Sequence, residues 1–264
     1  MLRPRIIPCL LIHRGGLVKT QAFKSPKYVG DPINAVKIFN EKEADELMVL
    51  DIDATVNRVE PNYALIAKLA AECRMPLCYG GGINSVEQAK QIISLGVEKV
   101  ALSAAAVADS AIVTRIAEAI GRQSVVVVLD VRKTSGLLAK GYELCTHNSK
   151  ITHKLDPLVF AKILQQAGAG EIVINSVDRD GDMKGYDLAL AQQMHLALRV
   201  PMTILGGAGS LEDIAILLGK CGVVGAAAGS LFVFKGKYRA VLINYPTAAQ
   251  KDEICRAAWS SPNR

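Results

Sequence analysis

The sequence predicts an α/β chain folded as a closed (β/α)8 barrel of the TIM-barrel class, with a twofold half-barrel repeat. Three observations carry the prediction. Eight short apolar runs alternate with amphipathic stretches, as in a parallel sheet wrapped by helices. Segments about 125 residues apart read alike and in the same order, which points to a duplicated set of four strand-helix units. The chain has 264 residues, half of them hydrophobic, and no linker or low-complexity tract interrupts it; one barrel domain over 1–264 accounts for that length.

The strands follow in order. The first run is RIIPCLL from Arg5, the second ELMVLDI from Glu46, the third PLCY from Pro76 and the fourth EKVALS from Glu98. The second half repeats the series with SVVVVLD from Ser124, EIVINS from Glu171, PMTIL from Pro201 and VVGAAA from Val223. Helical patterns stand between them, such as DPINAVKIFNEKEA from Asp31, PNYALIAKLAAEC from Pro61 and DLALAQQMHLAL from Asp187, each opening on an acid or a Pro that favours a helix N-terminus. The repeat is visible in three pairs: ADELMVLDID against AGEIVINSVD, GGINSVEQ against GGAGSLED, and GVEKVALSAA against GVVGAAAGS. Two connections, from about Ile12 to Gly30 and from about Arg132 to Leu155, are too long for ordinary βα turns. They are expected as loops on the C-terminal rim, where barrel enzymes keep their active sites.

Composition narrows the function. No apolar run approaches the roughly 18 residues that span a bilayer, and the start lacks the layout of a signal peptide, so a soluble cytoplasmic protein is expected. Net charge is +6, but Lys and Arg alternate with acids and aromatics are only 5%, which fits a nucleic-acid partner poorly and leaves phosphorylated small molecules as a possible use of the excess. The cysteines (Cys9, Cys73, Cys78, Cys145, Cys221, Cys255) form no CxxC pair, and His13, His147, His153 and His195 have no metal spacing. Neither a metal nor a cofactor is expected, and no histidine receives a role; His195 is placed on a helix surface.

The Gly-rich turns are the strongest functional signal. Gly81-Gly82-Ile83 before Asn84 and Ser85, and Gly206 to Gly209 before Ser210, lie between strand and helix, where bare backbone N–H groups can approach an anion. Strand ends at Ser103-Ala104 and Gly229-Ser230 would complete two phosphate cradles on opposite sides of one mouth; tight capped turns explain the same residues without any ligand. Carboxylates at strand ends (Asp51, Asp53, Asp130, Asp178, Asp180) suit general acid–base work, Asp130 above all, because it ends the most apolar strand. A loop-capping role is the alternative. Lys19, in the first long connection, could pair with a phosphate or an acid, or simply be solvated. At the opposite rim Arg5, Glu46, Lys99 and Glu171 begin their strands, and a ring of alternating charge there could plug the barrel bottom or serve as ordinary salt-bridge packing.

Together the segments RIIPCL, GDP from Gly30, ADEL, GGGI, LGVEKV, AGEI, SVDRDG with GYDL, and GGAG resemble, over nearly the whole chain, the cyclase subunit family of imidazole glycerol phosphate synthase. The resemblance implies a barrel that takes ammonia from a glutaminase docked on its N-terminal face and uses it to cleave and cyclise a bis-phosphorylated nucleotide-like substrate. It implies that Arg5, Glu46, Lys99 and Glu171 gate the ammonia entrance, that Asp130 is one of two catalytic acids, and that Lys19 contacts substrate. It assigns phosphate binding to Gly82, Ser103, Asp180, Gly181, Gly207, Gly229 and Ser230.

The departures are specific. Leu11 stands where the family has its other catalytic Asp, and loss of one member of an acid–base pair costs on the order of 100-fold to 10,000-fold in rate. Ser103-Ala104 replaces a usual Asn-Thr, and Asp53 a usual Thr. CLLIHRGGLVKT with LDIDA is similar to a paralogous branch associated with surface-polysaccharide (O-antigen) genes. That likeness implies ammonia delivery through the barrel for sugar amidation, with a sugar amidotransferase as a further partner. The competing expectation is a working histidine-biosynthetic cyclase in which another acid such as Asp53 replaces the missing one.

Overall fold

The computed structural model describes residues 3–135 and 141–260. Eight parallel strands close into a barrel: Arg5–His13, Leu47–Asp51, Leu77–Gly80, Lys99–Leu102, Val125–Lys133, Glu171–Ser176, Met202–Leu205 and Gly225–Ala228. Pairing runs unbroken round the ring, with Leu11 opposite Leu50, Leu50 opposite Gly80, Asp130 opposite Asn175, and the eighth strand returning to the first through Gly225 opposite Arg5. The remaining parallel pairs complete the circle. A closed parallel sheet has no edge left to pair, so each strand satisfies its backbone on both sides.

The helices begin where local chemistry supplies a cap. Asp31 accepts from the Asn34 N–H ahead of Pro32–Glu41, and Asp156 accepts from two N–H groups ahead of Pro157–Gln166. The third and seventh strands are followed by equivalent helices, Val86–Ser94 and Leu211–Cys221. Ser85 with Gln88, and Ser210 with Asp213, form reciprocal capping boxes at matching places in the two halves. One core lies between the barrel and its helices, with Phe39, Leu69, Ile92, Ile116, Leu164 and Leu217 fully enclosed. A second, smaller core fills the barrel itself with Ile7, Cys9, Met48, Cys78, Val126, Val128 and Val173.

The two long connections differ from the expected loops. The first strand runs on to His13 and folds back through Gly16–Gln21 and Lys24–Gly30, an antiparallel extension that pairs Leu11 with Val18. The fifth strand does the same through Tyr142–Thr146 and Ile151–His153, pairing Asp130 with Cys145. Both tips use left-handed residues without glycine: Ala22 and Phe23 at φ 49° and 61°, and His147, Asn148 and Ser149 at 56°, 56° and 61°. Each tip reaches across the mouth. Ala22 N–H donates to the Asp180 carbonyl at 3.0 Å after the sixth strand, and Asn148 Nδ2 donates to the Ile52 carbonyl at 2.9 Å after the second. The two crossings are related by the same twofold as the capping boxes.

Candidate functional site

Strand alternation puts one residue in two into the barrel, so the lower mouth is built from the first inward position of four strands. Arg5 pairs with Glu46 and, at 2.8 Å, with Glu171, while Lys99 reaches Glu46 at 2.8 Å and Glu171 at 3.0 Å. The structure thus brings together all four predicted residues as a closed ring of two cations and two anions. Thr203 Oγ1 adds a 2.6 Å hydrogen bond to Glu171. Burial by itself would raise the Glu171 carboxyl, but Arg5, Lys99 and Thr203 outweigh it and hold it down at about 2. Burial works against the charge on Lys99 as well, and Glu171 and Glu46 reverse that to raise it.

Directly above the ring come the apolar side chains of the inner core. Their two thiols stay neutral: burial pushes Cys9 up to about 11 and Cys78 well above its ordinary value. A charged molecule would lose its hydration here with nothing to replace it, whereas a small neutral one would lose little.

The upper mouth is a cleft lined by residues from every strand end. Asp130 stands in its wall, takes a 2.8 Å hydrogen bond from Asn175 Nδ2, and is pushed up to about 7, chiefly by burial, with Asn175 lowering it and Asp180 raising it. At that value the group is divided between acid and base near neutrality, as proton transfer requires. Leu11 and Leu50 face the same cleft and pack on the inner core, so at Leu11 the first strand contributes a methyl-covered surface. Lys19 is buried against the opposite wall, its ammonium donating to the Cys9 carbonyl and lying 2.6 Å from where a Cβ on Gly229 would be. Burial lowers its pKa, opposed by Cys9 and Asp180.

The predicted cradle residues Gly82, Ser103, Gly181, Gly207, Gly229 and Ser230 all line this cleft. Glycine is required at Gly207, with φ 108° and a Cβ that would meet the Gly185 carbonyl at 2.2 Å. Asp180 also lines the cleft, but its carboxylate is engaged by Thr20 Oγ1 at 2.6 Å and the Phe23 N–H at 3.0 Å, so it fastens the first hairpin. Two other strand-end acids hold the extended ends of the first and fifth strands. Asp178 receives the Lys133 N–H at 2.8 Å, and Asp53 is held by His13 Nδ1 and the Arg14 N–H, both at 2.7 Å. Asp51 faces the cleft and is raised by burial, while the Asp53 and Ala54 N–H groups pull it down.

Sequence reasoning missed Asn175, Phe23, His147 and Asn148, which all line the cleft. Asn175 sits one residue before the end of its strand and was detectable from alternation with Glu171. The other three lie on hairpin tips that carry no glycine signal. His195 is exposed on its helix as expected. Among the described residues no group of three or more His, Cys, Asp or Glu is placed to hold a metal ion, and no helix is long and apolar enough to cross a membrane.

Comparison with known proteins adds four findings. Residues 5–239 match the family described as "Histidine biosynthesis protein". The chain is 57% identical, over 95% of its length and 96% of the relative's, to a Vibrio vulnificus (strain YJ016) protein named "Putative imidazole glycerol phosphate synthase subunit hisF3". It is 52% identical over 96% of its length, and 99% of the relative's, to a Leptospira interrogans protein named "Putative imidazole glycerol phosphate synthase subunit HisF". Against a Chlorobium phaeobacteroides (strain BS1) protein named "Imidazole glycerol phosphate synthase subunit HisF" the identity is 37%, over 89% of this chain and 92% of the relative.

Proposed function

From the premise that the chain belongs to the histidine biosynthesis protein family as a HisF-like barrel, we propose that it is the ammonia-conducting subunit of a glutamine amidotransferase complex, with little cyclase activity of its own. A glutaminase docks at the lower mouth and parts the Arg5–Glu46–Lys99–Glu171 ring. Ammonia then crosses the apolar interior and emerges at the cleft. The neutral thiols and aliphatic lining favour NH3 over NH4+, because an ammonium ion buried there would be unpaired. The acceptor in this reading is a sugar, amidated in the cytoplasm by a third protein during surface-polysaccharide synthesis.

The observation that carries the reading is Leu11, an alkyl group facing the cleft in a barrel whose ring, glycine turns and Asp130 are otherwise in place. Two phosphate cradles, at Gly82 with Ser103 and at Gly207 with Gly181, Gly229 and Ser230, belong to the proposal as the docking points of a bis-phosphorylated ligand. Lys19 is its cationic contact. A histidine-biosynthetic cyclase in which Asp53 replaces the missing acid has less support, since that carboxylate is committed to His13 and Arg14.

The test supplies purified protein with ammonium salt and the bis-phosphorylated ribulosyl aminoimidazole carboxamide nucleotide. Turnover well below 1 s−1 is expected, and a rate in the ordinary enzymatic range of about 1 s−1 or more overturns the proposal. The variant Leu11→Asp is expected to cyclise at least about tenfold faster than the parent, restoring part of what an acid–base partner contributes.

A further inference from the structure

The tip of the second hairpin places a histidine against the cleft in a conformation that L-residues rarely adopt. His147 has φ 56°, as the first of three consecutive left-handed residues, none of them glycine. Such backbone is disfavoured for L-residues and persists where surrounding contacts enforce it. Here the contacts are visible. Asn148 Nδ2 ties the tip to the Ile52 carbonyl, and Thr146 Oγ1, itself buried, bonds both His147 Nδ1 at 3.0 Å and His153 Nε2 at 2.9 Å. One hydroxyl between two ring nitrogens fixes the plane of the His147 imidazole and occupies its Nδ1. His147 Nε2 has no partner among the described residues, and the side chain lines the cleft.

The electrostatics of the cleft say what that nitrogen meets. Besides Lys19 and His147, the titratable side chains lining it are the carboxyls of Asp51, Asp130 and Asp180 and the Cys9 thiol. Lys19 lies beneath Gly229, on the side of the second cradle. The first cradle has Asp51 at its back, where a Cβ on Gly81 would touch the Asp51 backbone and side chain, and its strand-end helix opens with Ala104, which offers no side-chain donor. The hairpin tip is tied to the loop that serves this cradle: Ile52 receives Asn148, and Thr55 Oγ1 receives the Gly82 N–H at 3.3 Å.

We propose that His147 is a ligand-binding residue, donating Nε2–H to the phosphoryl group held at Gly82 and Ser103 and matching what Lys19 does on the other side. The assignment rests on the two-cradle reading above and adds the residue that lets the acidic side of the cleft hold an anion. It also gives the Thr146–His153 pair a purpose: when Thr146 donates to Nδ1, His147 is the tautomer with its proton on Nε2.

Calorimetric titration with the bis-phosphorylated aminoimidazole nucleotide tests the proposal in the full chain. His147→Phe, which keeps the ring and removes the donor, is expected to weaken binding about tenfold, the scale of one charge-assisted hydrogen bond, and His147→Lys to stay within about threefold of the parent. Melting curves of both variants should match the parent. If His147→Phe binds as tightly as the parent while Lys19→Met weakens binding, His147 is no ligand contact and the cradles stand. Equal weakening by Phe and Lys also overturns the proposal, because shape and not donation would then matter. If the parent itself gives no heat at millimolar nucleotide, the two-cradle reading falls and the His147 assignment falls with it.

Discussion

Asp130 and Leu11 face the same cleft with opposite chemistry, and the acid stores an experiment in its pKa. A carboxyl raised to about 7 when folded, from 3.8 otherwise, holds its proton in the native state after the unfolded chain has released it. Stability from this group is therefore fully present below about pH 4 and declines as pH rises toward 7. Asp130→Asn keeps the neutral form at every pH, so its melting temperature relative to the parent should climb between pH 4.5 and pH 8. A constant difference would mean that Asp130 is ionised throughout. The sequence showed this residue plainly, because an Asp closing SVVVVLD has nowhere to go but the top of a buried strand. It gave no warning that Asp53 and Asp178 were spoken for by the backbone N–H groups of Arg14 and Lys133, or that Asp180 would hold a hairpin, since those partners are remote in the chain.

At the scale of elements, the eight strands and their helices were legible because burial on both faces writes parallel strands as apolar runs and caps write helix starts as Ser or Asp. The hairpins were not. Lys24–Gly30 is largely exposed and reads KSPKYVG, without apolar alternation, and the tips reach positive φ through Ala22, Phe23, His147, Asn148 and Ser149 where Asn-Gly would have announced a turn. The repeat, by contrast, makes a quantitative claim. Ser85 and Ser210 cap equivalent helices in opposite halves, so Ser85→Ala and Ser210→Ala should each cost about 1 kcal/mol in urea unfolding. Their double variant should cost the sum to within about 0.5 kcal/mol, given their separation. A double variant much worse than the sum would show that the two halves open together at these turns.

For the whole molecule, the charged ring is the tie that spans the closed sheet, joining its first, second, fourth and sixth strands. Its residues were readable from sequence as charges opening apolar strands, with Glu46 and Glu171 at matching places in the repeat; their contact was a consequence of closure that no local pattern contains. Glu171→Gln leaves Arg5 and Lys99 with a single carboxylate, and a loss of about 3–5 kcal/mol is expected at pH 7. Because folding lowers this carboxyl from 4.5 to about 2, its contribution is present above pH 4.5 and disappears as pH falls toward 2. The gap between parent and variant should therefore narrow in denaturant titrations at pH 2.5, and an unchanged gap would place the stabilisation elsewhere than in the ionised pair.

The crossed hairpins have a consequence for how the duplication holds together. The strap that grows from the front half is fastened in the back half at Asp180, and the strap from the back half is fastened in the front half at Ile52. Neither half roofs itself. A four-strand fragment cut from either end would carry a cover with nothing to close onto, and only two such fragments exchanging straps could rebuild a sheltered chamber.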